Sequence, residues 1–157
     1  MKVFLAVSIL ICIALCFCAC DSAKKEDVSY VFRYNGVNVG CNADMAEILA
    51  AIGDPISYSE SASCAADGLD KKYSYSGFSI TTVPDRDIDR ICRIELKNDL
   101  VKTPEGAHVG MDRRRIIEIY GDGFGGRGSG IEYVCKNCRL IFSFRDDKVT
   151  GIIYEAI

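Results

Sequence analysis

A stretch of the chain is echoed seventy residues further on, and that echo constrains the fold more than any single motif. NGVNVGCNADMAEILAAIGD (35–54) is answered by EGAHVGMDRRRIIEIYGD (105–122). Gly36, Val39 and Gly40 match Gly106, Val109 and Gly110; two residues are then lost, and Ile48, Leu49, Gly53 and Asp54 match Ile116, Ile117, Gly121 and Asp122. Each copy carries helix punctuation. Asn42 and Asp112 are N-cap residue types, Gly53 and Gly121 are natural stops, and Pro55 follows the first. Met45, Ile48, Leu49 and Ile52 fall at i, i+3, i+4 and i+7, one apolar stripe over about three turns. Ile116, Ile119 and Tyr120 form a shorter stripe, and Met111 is placed to close over Ile116 as a hydrophobic staple.

An apolar stripe needs a flat partner, and alternating runs follow each helix. Residues 72–83 (KYSYSGFSITTV) alternate Tyr73 and Tyr75, then change phase at Gly77 to Phe78, Ile80 and Thr82, as two short strands or one bulged strand would. In 91–96 (ICRIEL), Cys92, Ile94 and Leu96 share one face, which makes Cys92 the thiol expected to be buried. The second copy repeats the plan in 131–134, in 139–144 with Leu140, Phe142 and Phe144 alternating, and in 149–154. The expected fold class is α+β: two tandem helix-plus-antiparallel-meander units, residues 30–99 and 100–157. One helix on three strands buries little, so the units are expected to share or abut a core.

The first thirty residues carry an address. Met1 and Lys2 form a short positive start, residues 3–17 are almost entirely apolar, and Ala19 is the small residue that precedes a signal-peptidase cut. The competing reading is an uncleaved anchor, since roughly 17 to 25 apolar residues cross a bilayer. Among Cys12, Cys16, Cys18 and Cys20 only Cys20 follows a small residue, in Phe17-Cys18-Ala19-Cys20, so Cys20 is the expected lipidation site and mature N-terminus. Residues 1–19 are then the lipoprotein signal peptide and residues 20–29 a polar tether. Nine cysteines in 157 residues favour an oxidising compartment. With 19 basic against 22 acidic residues the chain lacks the basic face that nucleic acid demands.

Taken together, the lipobox, the doubled segment with Gly-Asp after each helix, and the alternating runs resemble the lipoproteins of the beta-lactamase-inhibitor-like group. They also resemble the related small lipoprotein of the outer-membrane assembly machinery. The closest likeness is to lipoproteins of Gram-positive bacteria that carry segments like SCAADGLDKKYSYSGFSITT (63–82) and TPEGAHVGMDRRRIIEIYGDG (103–123). The resemblance covers about residues 30 to 157. It implies an extracytoplasmic, membrane-anchored protein that binds other proteins and performs no chemistry.

The motifs that carry chemistry elsewhere lack their context here. Cys135 and Cys138 form a C-x-x-C, but they lie between strand-like runs and not at a helix N-terminus, where the dipole would activate a thiol. The candidate is a disulfide stapling a hairpin turn, or one of the two reaching a distant partner; an envelope thiol-disulfide protein is the alternative function. A zinc site would need a second pair, and Cys41, Cys64 and Cys92 stand alone. GDGFGGRGSG (121–130) matches a dinucleotide-binding pattern but follows a helix, where the fingerprint opens one. It reads instead as a connection offering Phe124 and Arg127 as partner contacts, alongside Tyr73 and Tyr75. In PDRDID (84–89) a calcium loop would need Gly where Arg90 stands and Glu where Leu96 stands. Arg113, Arg114 and Arg115 crowd a first helical turn that disfavours cations, and His108 is the one histidine. No catalytic residue, metal or cofactor is expected. The expected function is a non-catalytic protein-binding or scaffolding module, lipid-anchored on the extracytoplasmic face, with an envelope or secreted protein as partner. An inhibitor of a secreted or surface enzyme is a further alternative.

Overall fold

The structure is a computed structural model that describes residues 29–64, 66–125 and 130–157. The expected leader (1–19), Cys20 and most of the expected tether lie outside the described residues, as does Arg127. The chain opens with a hairpin, β1 (Phe32–Tyr34) and β2 (Val37–Val39), followed by helix α1 (Met45–Ile52) and four strands: β3 (Ser57–Ala62), β4 (Leu69–Ser74), β5 (Phe78–Asp85) and β6 (Ile88–Leu96). Helix α2 (Arg113–Tyr120) is followed by β7 (Phe124–Gly125), β8 (Ile131–Val134), β9 (Cys138–Arg145) and β10 (Lys148–Ala156). All strands but the first two join one antiparallel sheet in the order β3-β4-β5-β6-β10-β9-β8-β7.

The α+β expectation of two helix-plus-meander units is therefore corrected. The chain is mostly β, 48% strand against 13% helix among the described residues, and each helix is eight residues long. Strands from both halves form one continuous sheet, joined where Ile152 of β10 lies opposite Leu96 of β6 and Tyr154 opposite Ile94. The physical reason is edge pairing. A free β6 and a free β10 would each expose a row of backbone polar groups beside fully buried apolar side chains, and pairing them removes both edges. The helices stay short because the Gly53 and Gly121 amides close them on Leu49 O (3.0 Å) and Ile117 O (2.8 Å).

One face of the sheet carries the core. Cross-strand neighbours run in a row from Tyr58 to Tyr73 to Ile80 to Ile94, and on through Tyr154 and Leu140 to Tyr133. Ile80, Ile94 and Leu140 in that row are fully buried, each worth about 1.5–3 kcal/mol of apolar transfer. Met45, Ile48 and Ile116 of the helices belong to the same core. So does the β1–β2 hairpin, which was not expected from the sequence. Its turn is Asn35-Gly36, with φ of 49° and 82°, the left-handed pair that a two-residue hairpin loop requires. The turn delivers Phe32 to the rings of Phe78 (4.9 Å) and Tyr154 (6.2 Å).

Several local expectations change. The N-cap of α1 is Asp44, whose Oδ1 accepts from the Ala46 amide at 2.9 Å; Asn42 adopts φ 65° and its amide donates to Ile91 O at 2.7 Å. Residues 72–83 resolve into β4 and β5 around Gly77, not one bulged strand. The bulge lies in β6 instead. Arg93 opposes Thr81 and Ile91 opposes Thr82, so Cys92 is the extra residue. The phase break puts Ile91 into the core and leaves Cys92 half-buried, its thiol donating to Thr81 O at 3.3 Å. No helix among the described residues is long and apolar enough to cross a membrane.

Candidate functional site

The structure brings together three cysteines that are far apart in sequence. Cys41 follows β2 in the loop to α1, which is pinned to β6 by Asn42 N to Ile91 O (2.7 Å) and Ile91 N to Ala43 O (3.0 Å). Cys135 and Cys138 flank the two-residue turn between β8 and β9, with Cys135 N donating to Cys138 O at 2.9 Å. Across the junction Cys41 Sγ lies 3.1 Å from Cys138 Sγ, and Asn42 Nδ2 reaches Asn137 O at 3.5 Å.

All five described cysteines are thiols, Cys138 being the buried one and Cys64 the exposed one. At the candidate Cys135–Cys138 staple both residues are thiols, and the Cys135 thiol donates to the Cys138 carbonyl at 2.9 Å. The contact with Cys41 separates the two partners electrostatically. Hydrogen bonding to Cys138, then burial, pushes the Cys41 thiol up, whereas acceptance of that hydrogen bond brings Cys138 down. The pair holds one proton firmly and releases the other more readily. Neither thiol sits at a helix N-terminus.

The candidate partner contacts divide. Phe124 on β7 is 76% exposed. Tyr73 is buried, its ring 5.0 Å from Tyr58. Tyr75 stacks on Phe78 at 4.8 Å, and its hydroxyl donates to Gly53 O at 3.0 Å. Exposed apolar side chains also gather at the β3 end, on Ile56 (77%), Tyr58 (48%) and Leu69 (42%), while Leu100, Val134 and Ile157 are exposed elsewhere. Every residue of β3 is exposed. This strand escapes sequence reasoning because SYSESA alternates without an apolar face, Glu60 standing between Tyr58 and Ala62, and only the cross-strand pairing with β4 reveals it.

The arginine run at α2 is tied back into the fold. The Arg113 guanidinium lies 4.0 Å over the Phe144 ring and 3.1 Å from Asp147 Oδ1, and Arg115 pairs with Glu118. The three arginines rim an open depression of about 860 Å³ whose carboxylates, Asp112, Glu118 and Asp147, offset its cations. Among the described residues no group of three or more His, Cys, Asp or Glu is arranged to hold a metal.

The chain matches no family model, no curated protein and no solved structure, so the likeness to envelope lipoproteins rests on its sequence motifs.

Proposed function

We propose that the protein is lipid-anchored through Cys20 on the extracytoplasmic face of the membrane and acts there as a non-catalytic protein-binding module. The observation that supports this best is β3. Ser63 N donates to Gly68 O at 3.0 Å, which sets the alternation of the β3–β4 ladder. The amides of Ser61 and Ser59 then face β4, while those of Tyr58, Glu60 and Ala62 face the open edge. An extended segment of another envelope or secreted protein can add there as a strand, with Ile56 and Tyr58 supplying apolar contact. Residues 20–29 would hold this edge clear of the bilayer.

The test combines anchor and edge. In the native cell, a photocrosslinking residue in place of Tyr58 should capture a discrete partner, and Glu60→Pro should abolish capture. Proline removes an edge-facing amide and leaves the β4 ladder intact. A fatty-acid analogue should label the wild-type chain and not Cys20→Ser. Crosslinks unchanged by Glu60→Pro would reject the edge as the binding surface, and label retained in Cys20→Ser would reject the anchor.

The Cys41–Cys138 contact favours a second reading, an envelope thiol-disulfide protein, with a different pair from the C-x-x-C. An insulin-reduction assay separates it: turnover lost in Cys138→Ser would support redox catalysis over a binding role.

A further inference from the structure

We infer that Cys41 and Cys138 form an intramolecular disulfide, a covalent link between the loop before α1 and the first residue of β9. Their sulfurs are already 3.1 Å apart. The flanking backbone holds them there from both sides, Cys41 through the Asn42–Ile91 hydrogen bond and Cys138 through the Cys135–Cys138 hairpin bond. Forming the link needs a small approach of two side chains and no rearrangement of strands. The Cys135 thiol donates to the Cys138 carbonyl at 2.9 Å and also interacts with the Cys138 side chain, so a Cys135–Cys138 bridge is the competing outcome that the peptide map distinguishes. Cys64 is exposed at the far end of the sheet beyond β3, and Cys92 is held to Thr81 O at the β6 bulge.

The chemistry is thiol-disulfide exchange with an external disulfide, either a thiol oxidoreductase of the envelope or a small-molecule disulfide such as oxidised glutathione. Cys41, the half-exposed sulfur that an oxidant can reach, passes its proton to the Cys138 thiolate 3.1 Å away and attacks one sulfur of the oxidant. A mixed disulfide forms, and the oxidant's other sulfur leaves as a thiolate. Cys138, ionised again, then attacks Cys41 Sγ and displaces the remaining oxidant sulfur. Two protein thiols are oxidised by two electrons in all, the oxidant's disulfide is reduced to two thiols, and the two protons released end on them. The placement of the lower-pKa thiol on the buried side suits the resolving step.

The link would tie residues 97 apart in sequence, and a long closed loop restrains the unfolded chain most. The inference borrows from the export reading only an oxidising compartment, and it is tested on the purified full-length chain, so failure of the lipid anchor leaves it standing. The chain is treated with oxidised glutathione, remaining thiols are alkylated, and the product is digested without reduction. Cleavage at Lys136 separates Cys135 from Cys138, and a second cleavage after Glu47 separates Cys41 from Cys64. The expected product is peptide 137–139 linked to the peptide containing Cys41. Reduction should lower the melting temperature by on the order of 10 °C in wild type and in Cys135→Ser, and leave Cys41→Ser unmoved. A Cys135–Cys138 peptide, Cys41 joined elsewhere, or both thiols alkylated would overturn the inference. The wild-type peptide map decides even if Cys41→Ser does not fold.

Discussion

Asp112 and Lys148 hold each other twice, by an isolated antiparallel backbone bridge and by an ion pair of 2.8 Å between Oδ1 and Nζ. The corresponding helix start, Asp44, makes the same kind of backbone bridge to Arg90, but its carboxylate caps α1 through the Ala46 amide. The Asp112 side chain makes no capping hydrogen bond. Asp44→Ala should therefore cost about 1 kcal/mol, the usual worth of a cap. Asp112→Ala loses an exposed ion pair and should cost about 0.5 kcal/mol or less. Chemical denaturation of both variants checks the order, and equal losses would contradict it.

Phe32 is the keystone of a hairpin that has only three residues per strand. It is fully buried between Phe78 and Tyr154. Phe32→Ala should lower stability by about 3–5 kcal/mol. Phe124→Ala, at a position 76% exposed, should stay within about 0.5 kcal/mol of wild type. Urea midpoints measured on the two variants separate a core residue from a surface one.

Gly77 sits at φ 96° in the β4–β5 turn, and a Cβ there would lie 2.8 Å from Asn98 Oδ1 and 3.3 Å from Leu100 Cβ. Gly77→Ala combines an unfavourable backbone conformation with a collision against the 97–101 segment, so a loss on the order of 2 kcal/mol is expected. Thermal melting should show it, whereas an unchanged melting temperature would mean that the segment yields freely.

The Tyr154 hydroxyl is buried with no hydrogen-bond partner among the described residues. Removing it leaves the ring contacts and deletes an unsatisfied group, so Tyr154→Phe should be neutral or stabilising by up to about 1 kcal/mol. Destabilisation beyond that would reveal a partner for the hydroxyl.

Burial raises the phenol pKa of Tyr120, Tyr133 and Tyr154, with the Glu105 hydrogen bond adding to the effect at Tyr120. For these groups the folded value lies above the unfolded value of about 10. The stability they contribute is complete below that pH and is lost as pH rises through the folded values. The fold should hold to about pH 10 and lose stability above it, with tyrosinate absorbance from the buried rings rising in the same transition. The chain has no Trp to obscure that signal. Ionisation of all eight tyrosines before unfolding would contradict the burial of these rings.

Local signals determined the two helices. The stripe from Met45 to Ile52 and the stops at Gly53 and Gly121 depend on neighbours three or four residues away, which any window of sequence contains. The alternation of Leu140, Phe142 and Phe144 is equally local, and all three are buried on β9. The Asn35-Gly36 turn was also legible in principle, as a two-residue hairpin signal. Tertiary structure decided what depends on long-range pairing. The joining of β6 to β10 turned an expected pair of helix-plus-meander units into one mostly-β sheet, because pairing satisfies the backbone polar groups of both edges. The bulge at Cys92 broke an alternation that looked uninterrupted, and so moved the buried thiol to Cys138. Cys41 meets Cys138 only because the loop before α1 is pinned to β6 while β10 lies between β6 and β9. No spacing in the sequence encodes a contact made by the order of strands in a sheet.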